Sequence, residues 1–254
     1  MHTVDTIMSK ISKLRVHIAP VGFEVDRIVL PAKKMKADKV WLLIHDDPTK
    51  DKAKFYVEKI TKELEKEDID VKIAKSDRNN VFKFLKSVKE LIQNEEKNDV
   101  YVNVSTGSKI QAIACMMACM LFNDRNNVIP FYAEPESYPA TQGKQQSSGL
   151  RDLIELPKYE IKKPKRELIE ALKIIRDHGG KITKKEMAKI ADEMKIIIVK
   201  AQEENYEQAR FASLDKNIMQ PLADSWKFVE IEKIGRNRWI KITQEGLNAA
   251  EFLI

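Results

Sequence analysis

Residues 99–110, DVYVNVSTGSKI, constrain the fold of this chain more than any other stretch. Val100, Val102 and Val104 alternate with Tyr101 and Asn103, the two-residue period of a strand. The strand ends in a small polar turn, Ser105, Thr106, Gly107 and Ser108, and an apolar helical pattern opens at Lys109 and Ile110. A strand feeding a helix through such a turn presents an anion site. The turn supplies hydroxyls and closely approaching backbone, and the first helical turn carries N–H groups with no intrahelical acceptor.

What the run lacks narrows the kind of site. A Walker A loop needs a glycine where Val102 stands, and here Ser108 separates Gly107 from Lys109. A dinucleotide fingerprint needs three glycines after the first strand, whereas residues 19–26 hold one, Gly22. An ordinary strand-to-helix turn, with Ser and Thr capping the helix and Lys109 solvated, stays open as the simpler reading.

The surrounding pattern is an alternation. Strands are expected at 15–19, 39–44, 69–74, 100–104 and 128–133. Helical patterns fall at 22–37 (interrupted by Pro31), 50–66, 81–94 and 110–123, and a closing strand at 152–156. This predicts an α/β fold, a Rossmann-like and mostly parallel sheet with helices on both faces. Ligands of such sheets sit beyond the carboxyl ends of the strands. Residues 19–23, 45–48, 103–109 and the long polar run 134–149 converge there; nothing in the spacing puts Gln142, Lys144 or Gln145 in the site. Cys115 and Cys119, four apart on the apolar helix, read as small core residues. With four scattered histidines they supply no metal-ligand spacing, so neither metal nor cofactor is expected.

Residues 157–164, bracketed by Pro157 and Pro164, read as a linker, giving domains 1–157 and 158–254. Beyond it a helix at 166–177 stops at Gly179 and Gly180, and Thr183 with Glu186 forms a capping box for a helix through Met194. Residues 195–210 extend that helix or insert one. Ser213 is read as the cap of a helix reaching about Trp226, with Pro221 inside it. A hairpin follows, 228–234 and 239–243, turning at 235–238, and a last helix opens near Gln244. Three helices and a basic-tipped hairpin predict a smaller winged helix-turn-helix domain. Lys216, Asn217 and Gln220 of its recognition helix would reach a DNA groove, with Arg236 and Arg238 on phosphate or in the minor groove. The net charge of +6 permits such a partner without demanding it. No apolar stretch reaches transmembrane length and residues 1–14 lack a signal-peptide core, so the expected location is the cytoplasm, with no membrane partner.

The pattern Asn103-x-Ser105-x-x-x-Lys109, late in an alternating α/β domain, resembles the signature of CARF domains, the CRISPR-associated Rossmann-fold sensors of cyclic oligoadenylates. The resemblance covers residues 14–157, and a winged helix behind such a domain is an arrangement of archaeal regulators of CRISPR systems. It implies a homodimer that binds a cyclic oligoadenylate across its two-fold axis. Asn103, Ser105, Thr106, Gly107 and Lys109 would hold ribose and phosphate, and Pro20, Val21, Gly22 and Phe23 would match the first-strand turn by position. Ser108 departs from the pattern, standing where many members carry a second glycine.

The resemblance implies a ligand-responsive transcription regulator that binds double-stranded DNA. Two other readings stay open. Some CARF domains cleave the ring they bind, and Ser105, Thr106 and Lys109 offer groups for that chemistry, with His45, Asp46 and Asp47 on a neighbouring strand end. Alternatively the winged helix is a protein-interaction adaptor, since Glu203, Glu204 and Glu207 would repel DNA.

Overall fold

The computed structural model describes residues 12–138 and 146–254. Residues 139–145 of the polar run, and most of the N-terminal stretch on which the cytoplasmic expectation rests, lie outside the described residues. The chain divides into two compact units between Ile161 and Lys162.

The first unit alternates β1 (Arg15–Pro20), α1 (Asp26–Lys34), β2 (Lys39–His45), α2 (Lys54–Glu65), β3 (Asp70–Ser76), α3 (Val81–Asn94), β4 (Asp99–Asn103), α4 (Lys109–Leu121) and β5 (Val128–Glu134), then closes with β6 (Asp152–Glu155). The six strands form one sheet in the order β3-β2-β1-β4-β5-β6. All neighbours are parallel except β5 and β6. The chain winds outward from β1 to β3, crosses back, and winds the other way from β4 to β6. Their carboxyl ends therefore diverge between β1 and β4, which is where doubly wound sheets open a crevice.

The inner strands β1, β2, β4 and β5 are short, mostly apolar runs because both faces of the sheet are covered there, whereas the edge strands β3 and β6 are largely exposed. Ala19, Val21, Leu42, Ile28, Ile60 and Leu64 form a continuous buried cluster with α1 and α2. Phe84, Leu85, Val88 and Ile92 of α3, with Ala114, Cys115, Ala118 and Cys119 of α4, are also buried, and α3 packs on α4. Burial pushes the Cys119 thiol up to about 12 and raises the Cys115 thiol well above its ordinary value, so both are core residues rather than nucleophiles.

Two local expectations need revision. The helix expected from residue 50 starts at Lys54, because Asp47 accepts from the Thr49 amide at 3.0 Å and Asp51 from the Ala53 amide at 2.8 Å, holding a turn there. Pro31 does not interrupt α1, which runs through it with the proline buried.

The second unit comprises α5 (Arg166–Asp177), β7 (Lys181–Thr183), α6 (Lys184–Glu193), α7 (Tyr206–Leu214), β8 (Val229–Ile234), β9 (Asn237–Ile242) and α8 (Gln244–Leu253). It is a winged helix domain: the helices bury Leu172, Ile175, Met187, Leu214, Ile218 and Leu222 against an antiparallel sheet of order β7-β9-β8. Gly179 and Gly180, at φ +74° and +82°, end α5, and the Thr183 hydroxyl accepts from the Glu186 amide at 3.2 Å to open α6. No helix among the described residues is long and apolar enough to cross a membrane.

The third helix of this unit corrects the sequence reading. It starts at Tyr206, after a 3-10 turn at Glu203–Asn205, and continues beyond α7 as π turns at Asp215–Met219 and Pro221–Ser225. Ser213 is therefore inside the helix, where its hydroxyl donates to the Ile198 carbonyl at 3.0 Å instead of capping. The wider π turn also accommodates Pro221, whose missing N–H would break an ordinary α-helical ladder.

Candidate functional site

At the switch point the turn after β1 and the turn after β4 press on each other. A Cβ added to Gly22 would lie 3.0 Å from the Gly107 Cα, and one added to Gly107 would lie 2.8 Å from both the Pro20 Cβ and the Gln111 Oε1. Gly107 also holds φ +77°, a left-handed conformation that side chains disfavour. Glycine is thus required at 107 on two counts.

Asn103 ties these turns to α1. Pro31 has no N–H, so the Arg27 carbonyl four residues earlier lacks its helical donor. The Asn103 Nδ2 supplies it, donating to Arg27 O at 2.8 Å. The Asn103 Oδ1 accepts from the Ser105 amide at 2.9 Å and from the Ser105 hydroxyl. Ser105 Oγ in turn accepts from the Ala133 amide at the end of β5, at 3.0 Å. Thr106 Oγ1 donates to Pro20 O at 2.8 Å. Three side chains of the motif thereby fasten the ends of β1, β4, β5 and the start of α1 into one rigid floor.

The expected ligand residues accordingly divide. Asn103 and Thr106 are about 1% exposed, and their polar atoms are engaged within the protein. They shape the site from beneath. Val21 is core, donating its amide to Leu43 O at 2.9 Å, while Pro20 is buried and its carbonyl serves Thr106. Phe23 is half-buried against the Tyr56 ring, with centroids 5.5 Å apart. Ser108 caps α4: its Oγ accepts from the Gln111 amide at 3.3 Å and the Gln111 Oε1 accepts from its amide at 2.8 Å. Lys109, the first residue of α4, is exposed and forms no ion pair among the described residues. Its ammonium and the first-turn amides make this end of α4 electropositive.

Sequence reasoning missed a second cluster at the same end of the sheet. Glu24 and Arg27 are 4% and 5% exposed, 3.8 Å apart. Arg27 Nε donates to Ala133 O at 2.8 Å and the guanidinium lies over the Tyr132 ring at 4.9 Å. Burial raises the Glu24 carboxyl above its ordinary value, against the opposing pull of the Ser147 hydrogen bond and of Arg27. Ser147 donates to Glu24, the Gly149 amide donates to Asp26 at 2.9 Å, and the Gln146 amide donates to Phe23 O at 3.1 Å. The described ends of the polar run thus fold onto the β1 to α1 turn. The opposite charges of Glu24 and Arg27, three apart at the start of a helical pattern, were the available signal. So was Ser108-x-x-Gln111 for the cap.

One strand over, His45, Asp46 and Asp77 bring a ring nitrogen and two carboxylates within 4.8 Å of one another. These are ligand types a divalent cation accepts. His45 Nδ1 is already 3.0 Å from the Asp47 amide, which donates to it, and Lys50 holds Asp47 at 3.1 Å.

In the winged helix unit, Lys216, Asn217 and Gln220 are all exposed, with the Asn217 Nδ2 donating to Ser213 Oγ at 3.1 Å. The hairpin differs from expectation. Ile234 pairs with Asn237, so the turn is only Gly235 and Arg236, with Gly235 at φ +61°. A glycine with positive φ in the first turn position suits a tight two-residue hairpin. Arg236 stands at the tip, whereas Arg238 lies within β9, opposite Lys233.

Residues 15–138 match the family model described as HFX_2341_N-like, N-terminal, and residues 167–254 match that of the DUF6293 C-terminal winged helix domain. The chain is 30% identical over 220 residues to the uncharacterized protein MJ1513 of Methanocaldococcus jannaschii, an alignment covering 75% of this chain and 65% of that protein. It thus spans just under two thirds of that relative's length. Among solved structures it is similar to Can2 from Sulfobacillus thermosulfidooxidans in complex with cyclic tetra-adenylate, at 12% identity and TM-score 0.42, covering 93% of this chain and 63% of that one. It is also similar to protein VC1899 from Vibrio cholerae, at 11% identity and TM-score 0.42, covering 90% and 75%.

Proposed function

We propose that this chain is a ligand-responsive DNA-binding regulator whose first unit senses a cyclic oligoadenylate, in the manner of CRISPR-linked sensors, and whose winged helix unit binds double-stranded DNA in the cytoplasm. The observation that carries the reading is the free Lys109 ammonium at the start of α4, above a floor of buried hydrogen bonds at the switch point. A phosphodiester there meets the Lys109 charge and the first-turn amides that the Ser108–Gln111 cap leaves open, those of Lys109 and Ile110. Ser108 caps the helix at the rim, so its side chain and the Gly107 backbone set how closely the nucleotide approaches.

The reading includes a homodimer built on α4. That helix, KIQAIACMMACML, has a single charged residue, and Ile110 and Ile113 are 42% and 56% exposed on it. A helix apolar on every face buries more than one of them, and a second copy of α4 supplies the partner. Two copies of Lys109 then flank one ring. The ligand biases DNA binding only by its difference in affinity for the two arrangements of the dimer.

The internal engagement of Ser105 and Thr106 favours sensing over ring cleavage, because neither hydroxyl is available to a phosphorane without dismantling the floor. The test is calorimetric titration with cyclic tetra-adenylate and cyclic hexa-adenylate, followed by chromatography of the recovered nucleotide, with Lys109→Ala as comparison. Saturable binding of one intact ring per dimer, weakened in the variant, supports the sensor. Linear product would make the protein a nuclease, and no binding of either ring would remove the sensing role.

A further inference from the structure

The winged helix unit carries its charge in an unusual place for a groove-reading domain. Residues 203–225, the 3-10 turn, α7 and its π extension, hold two basic residues, Arg210 and Lys216, against five acidic ones, Glu203, Glu204, Glu207, Asp215 and Asp224. Arg210 is drawn between Asp192 and Glu207, at 3.9 Å from each. Glu203, Glu204 and Glu207 are exposed at the amino-terminal end, the end of a recognition helix that ordinarily enters the major groove. A net charge of −3 on this element opposes its insertion into a polyanion.

The outer part of the hairpin is the reverse, the hairpin's two carboxylates, Glu230 and Glu232, lying lower on β8. Residues 233–241 carry Lys233, Arg236, Arg238 and Lys241 and no carboxylate. Lys233 and Arg238 stand directly opposite each other across the strands, an arrangement of like charges that weakens a hairpin. Among the described residues, Lys185, Lys233, Arg236 and Arg238 have no carboxylate partner within ion-pair distance. Arg236, Asn237 and Arg238 line one cleft with Lys184, Lys185 and Phe211, so the cations of the wing and of the start of α6 converge on a common space. Lys184 is paired with Asp215 at 2.5 Å; Lys185, Arg236 and Arg238 are free to meet a ligand.

We propose that this unit engages duplex DNA through the wing and the start of α6, gripping backbone phosphates, with the third helix held off the groove by its own acidic residues. The proposal rests on the DNA-binding reading above and changes its mode: affinity comes from phosphate contacts made by Lys185, Lys233, Arg236 and Arg238, and base readout by Lys216, Asn217 and Gln220 contributes little. Binding is then steeply salt-dependent and only weakly dependent on sequence.

The experiment is fluorescence anisotropy of the full chain with two short duplexes of unrelated mixed sequence, over a salt series. Two variants are compared, Lys185→Ala/Arg236→Ala/Arg238→Ala and Lys216→Ala/Asn217→Ala/Gln220→Ala, with circular dichroism to confirm the fold. Arg236→Glu, at an exposed turn, serves as an independent single change. The wing variant is expected to bind at least about tenfold more weakly, with the salt slope reduced by about 0.9 for each phosphate no longer neutralised. Arg236→Glu should weaken binding in the same direction. The helix variant should stay within about twofold of the unaltered chain, and the two duplexes should bind alike. Loss of binding in the helix variant with the wing variant unaffected would overturn this mode while leaving the DNA reading intact. Failure of the unaltered chain to bind any duplex at low salt would remove both.

Discussion

The pairing of Asn103 with the carbonyl that Pro31 leaves open makes a quantitative prediction. Asn103→Ala removes the donor to Arg27 O and the acceptor for the Ser105 amide and hydroxyl, all in a buried setting. Three hydrogen bonds at about 1 kcal/mol each put the loss near 3 kcal/mol, with the orphaned carbonyl and amide accounting for most of it. Pro31→Ala restores an N–H able to reach the Arg27 carbonyl along the helix. In that background the asparagine is needed only for Ser105, so the cost of Asn103→Ala should fall by about 1–2 kcal/mol, the worth of one buried carbonyl's satisfaction. The double-mutant cycle is read by urea titration with hydrogen exchange at the β1 and β4 amides, which isolates the first unit from the second. Additivity within about 0.5 kcal/mol would show that the two sites do not share the carbonyl and would refute the reasoning.

Four further outcomes follow from the same geometry. His17, 2% exposed and packed against the Tyr101 and Phe131 rings, is held down to about 4 by burial and by Arg15. The unfolded chain takes up its proton near pH 6.5 and the folded chain only near 4, so stability falls as pH drops through that window, by about 3 kcal/mol in all; a His17→Phe variant should lose this slope in acid-denaturation curves. Gly107→Ala should destabilise the first unit by at least about 1–2 kcal/mol from its left-handed backbone alone, before the close approaches to Pro20 and Gln111, measured as a lowered thermal midpoint. For the homodimer proposed above, Ile113→Glu should leave only monomer in sedimentation or light scattering, because it places a charge on the exposed apolar face of α4. Lys109→Ala should weaken binding of cyclic oligoadenylates by about tenfold or more at low salt while leaving the thermal midpoint within a degree or so, since the side chain is exposed.

Most of the fold was legible because each element carries its own period and punctuation. The helix at Val81–Asn94 agrees to the residue, and the structure explains the amino-terminal boundary: Asn80 accepts from the amides of Phe82 and Lys83, both at 3.1 Å. The α5 stop at Gly179 was equally plain. The third helix of the second unit was misplaced because Ser213 has the composition of a cap, and only the Ile198 carbonyl, brought up by the preceding loop, tells its hydroxyl to bond elsewhere. At the switch point, the sequence pattern put Asn103, Ser105 and Thr106 together in one turn but could not assign their parts. Whether Asn103 faces a ligand or a carbonyl depends on Pro31, far away in the chain and adjacent in space. The Glu24 and Arg27 pair was missed for a related reason: its i, i+3 spacing is legible, but its burial becomes visible only once its cover, Tyr132 and Ser147, is in place.

The coupling between the two units is the central claim, and it is tested most directly by measuring the affinity of the full chain for duplex DNA with and without saturating cyclic oligoadenylate. The account predicts that the ring changes the DNA affinity by several-fold or more, that DNA changes the ring's affinity by the same factor, and that Lys109→Ala abolishes the effect without altering ring-free DNA binding. An unchanged DNA affinity in the presence of a ring shown to be bound would contradict it.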